Sequence, residues 1–251
     1  MTMSQANASE VVTRFRLNDQ VAARIREEIL SGELRPGTRM VQSEWGNRLG
    51  TSRMPVRDAF LRLQSEGLIT SFANGIAHVA DLSEEDIADA YTLSAAAAGI
   101  AAQRAAERMS EEKVEELKKY HLAFLDAIAR DDIDAAGSAN NGFHRILTVE
   151  SRSPRLIGLM RILSPSTPHV GTRELPSWRE RSAVTHEQIL EAVTARDGAS
   201  VERLMREHVL EASDVVVGLL RKRGYWDERP EDSTGPEKEN WKGFSPGDRH
   251  L

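Results

Sequence analysis

The chain contains no cysteine. Disulfides and thiolate metal sites are therefore excluded, and the composition suits a reducing compartment. Aromatic residues make up only 5% of the chain, while alanine is plentiful. That mixture favours helices over sheets. No apolar run is long enough to span a bilayer; "AAAAGIAA" at 95–102 falls far short. The start, "MTMSQANASE", has neither a basic flank nor an apolar core, so it does not read as a secretion signal. These absences predict a cytoplasmic protein. No sequence repeat is visible.

What is present is unevenly spread. The net charge is −6, which argues against a uniformly basic nucleic-acid binder. Residues 11–80 nevertheless carry ten Lys/Arg against seven Asp/Glu, and residues 81–251 carry twenty-three against thirty-one. A basic front third ahead of an acidic remainder predicts two domains with different partners.

The periodicity agrees. Residues 1–17 read as a loose leader. A first helix is expected from Asn18, its cap, to Ser31, with Val21, Ile25 and Ile29 on one face. Gly32, Pro36 and Gly37 break it. A short helix over 42–49 places Trp45 and Leu49 inward and stops at Gly50. In "SRMPVRDAFLRL", Val56, Ala59, Phe60 and Leu63 recur at helical spacing. Two extended runs, "LITSF" and "IAHVA", flank Asn74-Gly75, a strong hairpin turn signal. This order predicts a winged helix-turn-helix over 18–80.

From Ser83 onward the pattern is helical. Helices are expected over 84–108, 110–130, 132–151, 153–164, 178–197 and 198–223. Ser83 with Asp86, and Ser110 with its acidic first turn, read as helix starts. The fold class is thus mainly α: the winged head, then an all-helical bundle of about six helices over 84–223. The segment 224–251 is rich in charge, Pro and Gly and is expected to be disordered. Its two tryptophans could dock on the bundle or on a partner.

Arg53 and Arg57 lie four apart and share a face opposite the apolar one. Pro55 suits a first helical turn. Both cations thus sit at a helix N-terminus, where the dipole and free N–H groups favour anions. Such an end enters the major groove in helix-turn-helix proteins, and the arginine fork matches guanine edges and phosphates. The expected partner is duplex DNA, with the Asn74-Gly75 tip against the neighbouring groove or backbone.

The stretch "ILSGELRPGTRMVQSEWGNRLGTSRMPVRDAFLRLQSEGLI" resembles the DNA-binding domain of the GntR family of bacterial transcription regulators. The helical region over about 84–222 resembles the FadR-type, or FCD, effector-binding domain. The resemblance implies a regulator, most often a repressor, that binds a near-palindromic operator as a homodimer. It implies that Arg53 and Arg57 contact operator bases or phosphates and that Gly75 lies at the wing tip; Ser52, Ser43 and Asn74 complete the expected DNA-contacting set. Three departures stand out. Met54 occupies a position where the family has a small hydroxyl residue, and it cannot cap the helix, at about 1 kcal/mol. Gln42-Ser43 replaces Glu-Arg. Gly46 replaces alanine, at up to roughly 1 kcal/mol.

In the second region three histidines stand among apolar residues: His144, His186 and His208. Asn140 shares a helical face with His144. Imidazole nitrogens and a side-chain oxygen suit a divalent transition metal, although no compact metal motif exists. Resemblance adds weight, because many FCD domains hold a metal through "D/N-x-x-F-H" and two later histidines. Residues 140–144 read "NNGFH". The implied ligands are Asn140, His144, His186 and His208, for zinc, manganese, nickel or iron, and the implied role is to hold an effector's carboxylate. The family's "R-x-x-x-E" near the pocket is here "LSAAAAG", with Ser94 and Ala98. The loss of both charges implies an effector other than a simple di-acid. The alternative is a metal-dependent helical enzyme using the same histidines; Glu187, about 100° away from His186 on a helix, makes a poor general base for it. A further alternative is a helical scaffold that binds protein partners.

Overall fold

The computed structural model describes residues 4–163 and 175–227. The head is built from α1 (Ser4–Leu30), β1 (Arg39–Val41), α2 (Gln42–Arg48), α3 (Arg53–Ser65), β2 (Ile69–Ala73) and β3 (Ile76–Val79). The bundle follows as α4 (Glu84–Arg108), α5 (Glu111–Ala129), α6 (Ile133–Glu150), α7 (Pro154–Leu163), α8 (Pro176–Thr194) and α9 (Gly198–Lys222). Six helices after Ser83 match the expected count among the described residues.

The head closes over one apolar core. Val21, Ile25 and Ile29 of α1, Trp45 of α2, and Val56, Phe60 and Leu63 of α3 are all buried in it. Met40, Ile69, Ala77 and Val79 bring in the sheet. Polar contacts fix α1 on α3. Arg26 donates from Nε and Nη2 to the Glu66 carboxylate at 2.9 and 2.8 Å. Asn18 Nδ2 donates to Asp58 Oδ2 at 2.8 Å. Asn18 is therefore not a cap. The helix begins at Ser4, so the segment expected to be a loose leader is helical from there. No proline or glycine lies between Ser4 and Leu30 to break it.

The hairpin turns at Asn74 and Gly75, both at positive φ (52° and 78°), as a two-residue type I′ loop demands. The sheet has a third strand that periodicity did not signal. Three-residue β1 pairs antiparallel with β3, Met40 opposite Ala77, giving the order β1-β3-β2. So short a strand carries no alternation of its own; its partner defines it.

In the bundle, α4 and α9 pack closely along alanine and glycine. A Cβ on Gly99 would lie 3.0 Å from the Glu202 carbonyl oxygen. Ser83 and Asp86 form the expected capping box, with Asp86 N–H donating to Ser83 Oγ at 3.0 Å and Ser83 N–H to Asp86 Oδ2 at 2.8 Å. Ser110 accepts from the Lys113 N–H. Among the described residues no helix is long and apolar enough to cross a membrane.

The first residues of the expected disordered tail are ordered by packing. Tyr225 is buried with Ile87, Tyr91, Val216 and Leu220. Trp226 Nε1 donates to the Leu82 carbonyl oxygen at 2.8 Å. Arg35 of the head donates to the carbonyl oxygens of Gly224 and Arg223, and Arg223 donates to that of Ser31. The end of α9 is thus tied to the head. Residues 228–251, with Trp241, lie outside the described residues.

Candidate metal centre and nucleic-acid interface

His144 projects from α6, His186 from α8 and His208 from α9. Each stands among its helix's buried positions: Phe143 and Leu147, Ser182 and Ile189, Met205 and Ser213. Packing those faces together brings one ligand atom from each ring to within 4.8 Å of the other two. His144 Nε2 and His208 Nε2 stand 3.3 Å apart. Aromatic neighbours set the ring planes. Phe143 stacks on His186 with centroids 4.2 Å apart, and Trp178 stacks on His208 at 5.6 Å.

The electrostatics follow from burial. Burial pushes His144 down to about 4. Burial, reinforced by His144, pushes His208 down to about 3. His186 is held well below the usual imidazole range by burial and then by its three neighbouring histidines. All three rings are neutral near pH 7, so each offers a lone pair. Neither nitrogen of His186 has a hydrogen-bond partner, nor has His208 Nδ1. A buried donor or acceptor left unpaired costs about 1–3 kcal/mol. Three neutral imidazoles, two of them with buried nitrogens left unpaired, fit a divalent transition metal. Asn140 stands half-buried one turn before His144 on the same face.

Sequence reasoning missed three groups near this cluster. His121 of α5 is buried, its ring centroid 6.4 Å from that of His186. Its Nε2 faces Glu187 Oε2 at 2.5 Å, so Glu187 turns to this ring. Arg179 and Ser182 of α8 are also buried, each with unpartnered polar atoms. The signals were present: His121 falls between Leu117 and Phe124 at core spacing, and 179, 182 and 186 recur at i, i+3 and i+7. Of the two positions expected at the pocket, Ser94 is buried with its hydroxyl unpartnered. Ala98 packs in the cluster that contains Phe143, Val201 and Met205.

In the head, Arg53 and Arg57 are exposed at the start of α3. The helix begins at Arg53 with Ser52 as N-cap, so Met54 lies inside the first turn and is not the cap. Ser52 makes no side-chain capping bond. Ser43 is half-buried, Asn74 exposed and Gly75 half-buried. Gln42 gathers these pieces. Its N–H donates to the Gly75 carbonyl oxygen at 2.8 Å, and its Nε2 to that of Arg53 at 2.6 Å. The turn of the hairpin and the two helices thus share one edge. Gly46 is more than a weak helix former. A Cβ there would lie 3.1 Å from the Thr51 carbonyl oxygen, so its absence permits the tight turn between α2 and α3.

Comparison with known proteins agrees with this construction. The model of the bacterial regulatory proteins of the gntR family matches residues 17–79, and that of the FCD domain matches residues 89–211. The HTH-type transcriptional repressor RspR of Escherichia coli K12 is 26% identical over 212 residues, 84% of this chain and 93% of that protein. An HTH-type transcriptional regulator in the TAR-I ttuE-ttuC' intergenic region of Agrobacterium vitis is 32% identical over 126 residues, 49% of this chain and 74% of that protein. Among solved structures, E. coli McbR/YncC superposes with a TM-score of 0.65 at 19% identity, covering 82% of this chain and 98% of that one. Fold and relatives together define a helix-turn-helix transcription regulator, not an enzyme. The chain belongs to the GntR family, in the group whose second domain is an FCD domain.

Proposed function

We propose that this protein is a metabolite-responsive repressor that binds a near-palindromic operator as a homodimer. In this reading its helical domain senses a carboxylate-bearing effector at a metal-assisted site. The observation that carries it is the convergence of three neutral imidazoles, with buried unpaired nitrogens on His186 and His208, behind a head that exposes Arg53 and Arg57 at a helix N-terminus. His144, His186 and His208, with Asn140 beside them, would hold the ion. When bound, the ion offers open positions to a ligand oxygen. Phe143 and Trp178 keep the rings in place. Arg53 and Arg57, with Ser52, Ser43, Asn74 and Gly75 around them, face the DNA. One small reading head covers only a half-site, which favours a dimer. The E. coli relative RspR is named a transcriptional repressor, which supports the sign of regulation. Helix α9 carries His208 along its length and the head's anchor at its end, so a shift of α9 is the simplest route from site to head.

Fluorescence anisotropy with DNA from upstream of the gene, titrated with salt, tests the DNA reading. Selective binding that weakens with salt supports it; no selectivity at any salt concentration rejects it. Metal analysis of the purified protein tests the site. A stoichiometric transition metal lost on changing His186→Ala is expected, and metal-independent effector binding would overturn this half of the proposal.

A further inference from the structure

The α8 face that presents His186 carries two more polar groups that protein atoms do not satisfy. Arg179, Ser182 and His186 lie in one line, at i, i+3 and i+7. Their exposures are 5%, 1% and 0%. Arg179 spends one nitrogen on a carboxylate, Nη2 donating to Asp131 Oδ1 at 3.0 Å. That carboxylate is itself 79% exposed, so it stands at the rim. Arg179 Nε and Nη1 have no partner, and neither has the Ser182 hydroxyl. A guanidinium cannot shed its proton to escape burial. It therefore keeps a full charge, with most of its donors idle, on the face that leads to the histidines. The elements facing this part of α8 contribute small side chains: Ala127 of α5 and Ala136 and Ala139 of α6, clustered with Phe124 and Ala183.

We propose that Arg179 and Ser182 form a second anchor of the effector site, and that the effector is a dicarboxylate. One carboxylate is held at the His144–His186–His208 cluster and the other by the Arg179 guanidinium, whose planar fork suits a carboxylate. The Ser182 hydroxyl bonds to the ligand between them. The helix rises about 10 Å over the seven residues from Arg179 to His186, which sets a chain of several carbons rather than the shortest di-acids. The uncharged pocket expected from Ser94 and Ala98 counted only α4. Helix α8 supplies the missing cation from the other side. This inference rests on the metal-assisted effector reading above.

Isothermal titration calorimetry on the metal-loaded full chain tests it. The probes are glutarate, adipate, pimelate and galactarate, each against the unbranched monocarboxylate with the same number of carbons. At least one di-acid should bind tenfold or more tightly than its mono-acid. Arg179→Gln should erase that preference while leaving metal content and mono-acid binding unchanged. Asp131→Asn, which frees the guanidinium without removing it, should retain the preference. Ser182→Ala should weaken the di-acid by a smaller factor, and it carries the test together with Asp131→Asn if Arg179→Gln does not fold. Di-acids that bind no more tightly than mono-acids overturn the second anchor, as does an undiminished preference in Arg179→Gln. Metal-dependent mono-acid binding without a di-acid preference sinks only this anchor. Metal-loaded protein that binds neither acid sinks the effector reading beneath it as well.

Discussion

His144 Nε2 and His208 Nε2 face each other at 3.3 Å, from two helices whose rings lie nearly parallel, 5.1 Å between centroids. Between two neutral imidazoles that approach allows at most one N–H···N hydrogen bond. A shared cation would hold both. Changing any one of His144, His186 or His208 to alanine should lower metal affinity by at least about 10–100-fold, the range that loss of an outer-sphere partner already costs. Competition against a chromophoric chelator reads this directly. A variant that keeps wild-type affinity would remove that residue from the ligand set.

The same burial makes the metal-free protein acid-sensitive. His144 titrates at about 4 and His208 at about 3 when folded, against about 6.5 when unfolded. Between those values the unfolded chain binds more protons, so acid favours unfolding. The contribution is fully present above about pH 6.5. It falls by up to about 1.4 kcal/mol per pH unit for each histidine as pH drops toward the folded values. Thermal unfolding of chelator-treated protein from pH 7.5 to 4.5 should show this slope, and His208→Gln should flatten it.

On the DNA side, Arg53→Ala and Arg57→Ala should each cost about 1–3 kcal/mol of operator affinity if they read base edges. If they touch only phosphate, the loss should be uniform across sequences, with a shallower salt dependence. Affinity measured on matched and scrambled operators at two salt concentrations separates the two. Melting temperature should stay near wild type, because both side chains are exposed.

A methyl added at Gly99 would lie 3.0 Å from the Glu202 main-chain oxygen, so α4 and α9 must move apart by a few tenths of an ångström to admit it. Gly99→Ala should destabilise the bundle by about 1–3 kcal/mol. Gly137 of α6 has nothing within 4 Å of such a Cβ. Gly137→Ala should therefore stabilise by up to about 1 kcal/mol. Denaturant melts of the two variants should move in opposite directions.

Trp226 supplies a third stability test. Trp226→Phe removes the donor to the Leu82 carbonyl but keeps an aromatic ring. The expected loss is about 0.5–1.5 kcal/mol, read by calorimetry. An unchanged melting temperature would show that the contact contributes nothing.

Much of the fold was legible because its signals are local. The Val56–Leu63 spacing, the Asn74-Gly75 turn and the Ser83 capping box each act within a few residues, and each stands where expected. Reading went wrong where a local signal met a distant partner. Asn18 looked like a cap and instead bonds Asp58. Strand β1 had no pattern of its own until β3 lay beside it. Tyr225 and Trp226 stood in a charged, Pro- and Gly-rich stretch, yet the core around Ile87 and Leu220 orders them.

The sequence alone determined the order of the elements, the arginine pair at a helix start and three histidines on inward-facing turns, because periodicity and capping are properties of neighbouring residues. Only the tertiary structure decided that those histidines meet, that burial keeps them neutral, and that Arg179 and Ser182 stand in line with them. Convergence and desolvation depend on which helix faces pack together. That packing is set by the summed fit of many side chains far apart in the chain, which no short window of sequence contains.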